Sequence, residues 1–112
     1  MALKTRNVRN SIRRVSNANH DSRVSLKAIA ARLRAIRFVF GDINQRQACV
    51  LTGIDHVAWN NWERAKLRPL PEHVWKIKRA FGVGADWIYF GDPLGLPPKL
   101  VKSLISALRN AG

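Results

Sequence analysis

Acidic side chains are scarce in this sequence: seven Asp and Glu stand against 20 Lys and Arg. Cysteine, methionine and tyrosine occur once each. A lone Cys49 cannot close an internal disulfide, and one thiol with three scattered histidines offers no metal-ligand spacing. No apolar run approaches the ~18 residues that span a bilayer. The basic first 24 residues lack the apolar stretch of a signal peptide, so a cytoplasmic, nucleoid-associated location is expected. The few acids are dispersed, no Ser/His/Asp grouping is present, and Cys49 falls on a packing position. These absences argue against an enzyme. Gly82-Val83-Gly84 follows a helical pattern instead of a strand and is therefore not a nucleotide loop. No cofactor, metal or small-molecule site is evident. Alternation with period two is missing too, as are internal repeats, which leaves an all-α fold as the expectation.

What remains is a chain of 112 residues, 46% of them apolar, with a formal charge of +13. That length accommodates one compact domain with tails, and the apolar content suffices for a small core. A small, strongly basic domain most often meets nucleic acid, and less often an anionic membrane or an acidic protein.

The charge is not confined to one segment. Residues 1–24 carry Lys4, Arg6, Arg9, Arg13, Arg14 and Arg23 against the single acid Asp21, and are otherwise rich in Asn and Ser. This segment reads as a flexible basic arm, either a solubilising tail or, through Arg6, Arg9, Arg13 and Arg14, a strand that follows DNA phosphates or enters a groove. Residues 25–92 read as a compact five-helix bundle. Leu26, Ile29, Leu33, Ile36 and Phe40 form the stripe of a first helix, stopped at Gly41-Asp42. Asn44 caps a short segment to about Thr52, Gly53 breaks it, and Asp55 caps a third helix from His56 through Arg64. Pro71 suits the first turn of a fourth helix, where its missing N–H costs nothing. Val74, Ile77 and Phe81, with Trp75 and Ala80 beside them, are expected to face its core. Ala85 to Phe90 reads as a fifth helix closed by Gly91. In so small a core, Phe40, Trp62, Trp75, Phe81 and Trp87 are expected to dominate the buried area.

Residues 93–112 are a Pro-containing linker followed by an amphipathic helix with Leu100, Val101, Leu104, Ile105 and Leu108 on one face. So clean a stripe must be covered by something. Its own bundle, a twin helix, or a membrane or protein partner would each serve. The dimer is preferred, because two-fold symmetry lets one short helix cover its own copy.

The segment from Gln45 to Arg64 is the most informative. A small residue, Cys49, sits four positions after Gln45, Gly53 four further on, and Trp59 and Trp62 beyond. Two helices crossing steeply need a small side chain at the contact and a turn residue tolerant of positive φ. Large apolar groups on the second helix then anchor it from below, leaving His56, Val57, Asn60, Asn61 and Arg64 to project outward. That is the arrangement of a helix-turn-helix. Asn60 and Asn61 are poor helix formers, and Asn makes a paired contact to adenine. Glu63 and Arg64 suggest a local ion pair.

Ile29-Ala-Ala-Arg-Leu-Arg-Ala-Ile-Arg37, Asn44-Gln45, Cys49-Val-Leu-Thr-Gly53-Ile54, Asn61-Trp62-Glu63-Arg64, Arg68-Pro69, Phe81-Gly82-Val83 and Asp86-Trp87-Ile88 together resemble the XRE, or Cro/lambda-repressor-like, helix-turn-helix domain. The resemblance covers Ile29 to Asp92. It implies sequence-specific binding to double-stranded DNA in bacteria or phage, usually as a homodimer on inverted half-sites and mostly for transcriptional control. By motif position, Gln45 matches a residue that supports DNA contact, and His56, Val57, Asn60 and Asn61 fall on the outward face of the recognition helix. Arg46, Arg64, Lys66 and Arg68 are the expected phosphate contacts. The chain departs from the pattern at Cys49, where Ala is usual, at Gln47, where Glu is common, and at Trp59. There an oversized residue must push helices apart or find a pocket.

The expectation is therefore a dimeric DNA-binding transcriptional regulator, a repressor or a regulator of a mobile element. Two rivals stand beside it. One is an antitoxin-type regulator of the same fold that grips a protein partner through its last helix. The other is a helix-turn-helix used as a protein-interaction module that sequesters or modulates another regulator.

Overall fold

The computed structural model describes residues 23–111, and these are all helical or connecting segments, with no strand among them. The expected arm residues Arg6, Arg9, Arg13 and Arg14 lie outside the described residues. Six helices follow in order: α1 (Leu26–Val39), α2 (Gln45–Thr52), α3 (His56–Glu63), α4 (Pro71–Phe81), α5 (Ala85–Phe90) and α6 (Pro98–Ala111).

Local chemistry sets the helix ends. The Ser25 hydroxyl accepts from Ala28 N–H at 3.1 Å and starts α1. Asn44 and Gln47 exchange side-chain and backbone hydrogen bonds at 2.8 and 2.9 Å, a capping box for α2. The Asp55 carboxylate accepts from Val57 and Ala58 N–H to open α3. Pro71 occupies the first turn of α4, and His73 Nδ1 accepts from Leu70 N–H at 3.2 Å. Gly53 takes φ of 77° and donates its N–H to Cys49 O at 2.8 Å, which ends α2 in the left-handed region that glycine adopts freely.

Helix α1 is the centre of the packing and touches α3, α5 and, most extensively, α6. It buries Ile29, Leu33, Ala35 and Ile36 completely or nearly so. Trp59, Trp62 and Trp87 join the same core with Ile77, Phe81 and Ile88. Two aromatic expectations fail. Trp75 is 57% exposed, because one residue beyond Val74 is a rotation of about 100° away from the buried line of α4. Phe40 caps α1 past its last turn and is 37% exposed, although its ring lies 5.2 Å from that of Phe81. Ala80 likewise faces outward.

The C-terminal stripe is covered by the chain itself. Leu104 and Ala107 are buried in the common core, and Leu100 and Leu108 pack half-buried against it. Val101 is half-buried and Ile105 is 43% exposed. Leu104, the middle of the five-residue stripe, packs into the core with α1 and its neighbours, while Ile105 at its edge stays open to solvent. Among the described residues no helix is long and apolar enough to cross a membrane.

Candidate nucleic-acid interface

Three helices meet at one carboxylate. Glu63, on the last turn of α3, is buried to 7% exposure. Arg37 of α1 donates to both of its oxygens, from Nε to Oε2 and from Nη2 to Oε1, each at 2.6 Å. Gln45, at the start of α2, donates its side-chain amide to Oε1 at 3.2 Å. The Trp59 indole N–H donates to Oε2. Arg34 adds a bond from Nη1 to the Glu63 backbone carbonyl at 2.8 Å, and Arg37 Nη1 reaches Ile43 O at the same distance. The hydrogen bonds to the carboxylate push the Arg37 pKa up, outweighing the opposing effect of burial.

This cluster corrects one pairing and settles one misfit. Glu63 pairs with Arg37, not with the adjacent Arg64, which is exposed. Residues 63 and 64 are neighbours on a helix and point about 100° apart, whereas α1 crosses directly over Glu63. The oversized Trp59 finds a fully buried position, with its ring 5.8 Å from that of Trp62 and its only polar atom satisfied by Glu63.

The turn between α2 and α3 is held from inside. Thr52 Oγ1 donates to Ala48 O at 2.8 Å and accepts from Ile54 N–H at 3.3 Å, and Ile54 is buried. Cys49 is also buried, and burial first, then the negative charges of Asp55 and Glu63, push its thiol pKa up. Cys49 shares the core with Ala48, Ile54, Trp59 and Trp62.

The anchoring leaves the opposite side of α3 outward. His56 is exposed and Val57 is 66% exposed, while Asn60 and Asn61 are half-buried. No side-chain hydrogen bond engages either asparagine amide among the described residues, and both backbone carbonyls are used, by Arg64 and Lys66 N–H respectively. Arg46, Arg64, Lys66 and Arg68 are all exposed. Arg37–Glu63 is the one ion pair among the described residues, so these four cations have no carboxylate partner there. Gln45 differs from the others: it is half-buried and its amide is directed to Glu63. It ties α2 to α3, a bond with no signal in the local sequence around Gln45.

Arg34 and Arg37 join the site through Glu63 without a signal in the sequence. Both lie off the apolar stripe of α1 and carry a charge, which in sequence is indistinguishable from a solvated face. Beside α3, a cavity of about 410 Å³ opens between Val57, Asn61, Leu67, Leu70 and His73. No three His, Cys, Asp or Glu side chains of the described residues group as metal ligands. The chain matches no protein-family model, no curated protein and no solved structure.

Proposed function

We propose that the chain is a sequence-specific duplex DNA-binding regulator of transcription, in which α2 and α3 act as a helix-turn-helix and α3 enters the major groove. The observation that carries this reading is the two-sidedness of α3. Its inner side is fixed by Trp59, Trp62 and Glu63, all buried, and its outer side offers His56, Val57, Asn60 and Asn61, flanked by four exposed cations. Imidazole and amide groups read base edges, and Val57 suits the thymine methyl group. Arg46, Arg64, Lys66 and Arg68 serve the phosphates, supplying orientation and the salt-dependent part of affinity. Gln45 acts from the rim, through the amide oxygen that Glu63 does not engage. Action as a homodimer and repression belong to the same proposal. With the α6 stripe largely used internally, pairing on DNA would draw on other surface or on the exposed edge at Ile105.

A second reading has an observation of its own. Val57, Leu67 and Leu70 are exposed around the cavity beside α3, an apolar setting that suits a protein partner. Selection of bound duplexes from a random pool tests the choice. Enrichment of one inverted motif, with protection from cleavage at that motif, supports the DNA reading. Recovery of unenriched sequence with only salt-sensitive binding sinks it and leaves the interaction module.

A further inference from the structure

Helix α1 carries another arginine, in a setting unlike that of Arg37. Arg32 keeps only 7% of its surface exposed, yet no carboxylate of the described residues pairs with it. Its Nη1 donates to Ile88 O, near the end of α5, at 3.1 Å. A guanidinium has five N–H donors in a fixed fork, and the bond to Ile88 O is the one it makes among the described residues. Gly91 closes α5 with φ of 71°, and a Cβ at that position would lie 2.8 Å from Arg32 Nη2. The absence of a side chain at residue 91 is what lets the guanidinium sit there.

Arg32 lines a cavity of about 620 Å³ between α1, α5 and α6. Arg23 stands on the same cavity, while Trp87, Phe90, Ile105 and Leu108 supply apolar walls. Burial, and then the charge of Arg23, hold the Arg32 pKa below its ordinary value. Asp92 also borders the space. Its Oδ1 accepts from Leu94 N–H at 3.0 Å, and it forms no ion pair with either arginine.

We infer that this cavity is a binding site for a small organic monocarboxylate with an apolar body, the carboxylate held by Arg32 and Arg23 and the body lying against Trp87, Phe90, Ile105 and Leu108. The volume falls within the range of about 300–1,000 Å³ usual for small-molecule sites. A planar carboxylate matches the guanidinium fork. The negative charge of Asp92 at the border works against a dianion such as sulfate or phosphate monoester. The site had no signature in the sequence, where no small-molecule site was evident. It does not rest on the DNA reading and is tested without DNA.

Calorimetry on the full chain with 3-phenylpropionate and with octanoate, followed by the NMR shifts of the Trp87 indole N–H and the Gly91 amide, gives the direct measurement. Both acids are expected to bind saturably and to move those two resonances. The neutral 3-phenylpropionamide should bind about tenfold more weakly, because it forfeits a charge-assisted hydrogen bond. Arg23→Gln, at an exposed position that the core does not need, should weaken the acids and leave the amide unchanged. Gly91→Ala should also weaken the acids, by displacing Arg32. Equal affinity for acid and amide, no loss in Arg23→Gln, sulfate binding as tightly as the acids, or no saturable binding of either acid would each overturn the assignment.

Discussion

Arg37 and Glu63 meet fork to fork, with two parallel N–H donors each 2.6 Å from a different oxygen of one carboxylate, and 19% and 3% of the two side chains exposed. The pair joins α1 to the end of α3, and the same carboxylate also receives Gln45 and Trp59. A contact of this kind does more for geometry than for net stability, since removing two charges from water offsets much of their attraction. Its effect is to fix the rotation of α3 and hence which side chains of that helix face outward.

Glu63→Ala should therefore be costly, since it strands a guanidinium, an indole N–H and an amide at once. The expected loss is about 3 kcal/mol in urea unfolding. The double variant Glu63→Leu with Arg37→Met should lose clearly less than the sum of its single variants. Strict additivity would show that the two side chains do not act as a unit.

Ala65 holds φ of 57°, the left-handed region, directly after α3, and its N–H donates to Trp62 O at 3.1 Å. A Cβ is strained in that conformation. Ala65→Gly should stabilise the fold by about 0.5–1 kcal/mol, the relief of strain exceeding the added freedom of the unfolded chain. A lower melting temperature for the glycine variant would contradict the assigned backbone.

On α6 the two adjacent aliphatics should part company. Leu104→Ala removes a fully buried side chain and is expected to cost about 2–5 kcal/mol. Ile105→Lys, at a position 43% exposed, should leave the melting temperature nearly unchanged. Sedimentation of the same proteins adds the oligomeric state: a dimer lost in Ile105→Lys alone would place an interface on the outer edge of α6.

The two classes of cation and amide around α3 should separate in DNA binding. His56→Ala and Asn60→Ala are expected to relax base preference at one or two positions per half-site, at a cost of ~1–3 kcal/mol on the selected duplex. Arg46→Ala should weaken selected and random duplexes alike and lower the slope of log affinity against log salt by about 0.9. Equal losses on both duplexes from all three variants would remove α3 from its proposed role.

The helix ends were open to reading in the sequence because each depends on residues within a few positions of it. Asn44 and Asp55 start helices, and Gly53 and Gly91 stop them, through bonds that span two to five residues, while Pro71 starts α4 by its fixed φ. Trp62 and Trp87, expected in the core as large aromatics of a small bundle, are buried, and Trp59, an expected misfit, is buried with them. Periodicity and proximity to a buried line do not suffice for Phe40 and Trp75, which the structure leaves 37% and 57% exposed.

Only the tertiary structure decided which distant groups meet. Glu63 chose Arg37, 26 residues away, over its neighbour Arg64; Arg32 reached Ile88 across 56 residues; and Leu104 of the α6 stripe packs into the core beside α1. A charge on a helix looks the same in sequence whether it faces water or a buried partner. An apolar stripe likewise states that it needs cover without stating whose. Both are resolved by the rotation and crossing of packed helices, which depend on the whole core at once and not on any local run of residues.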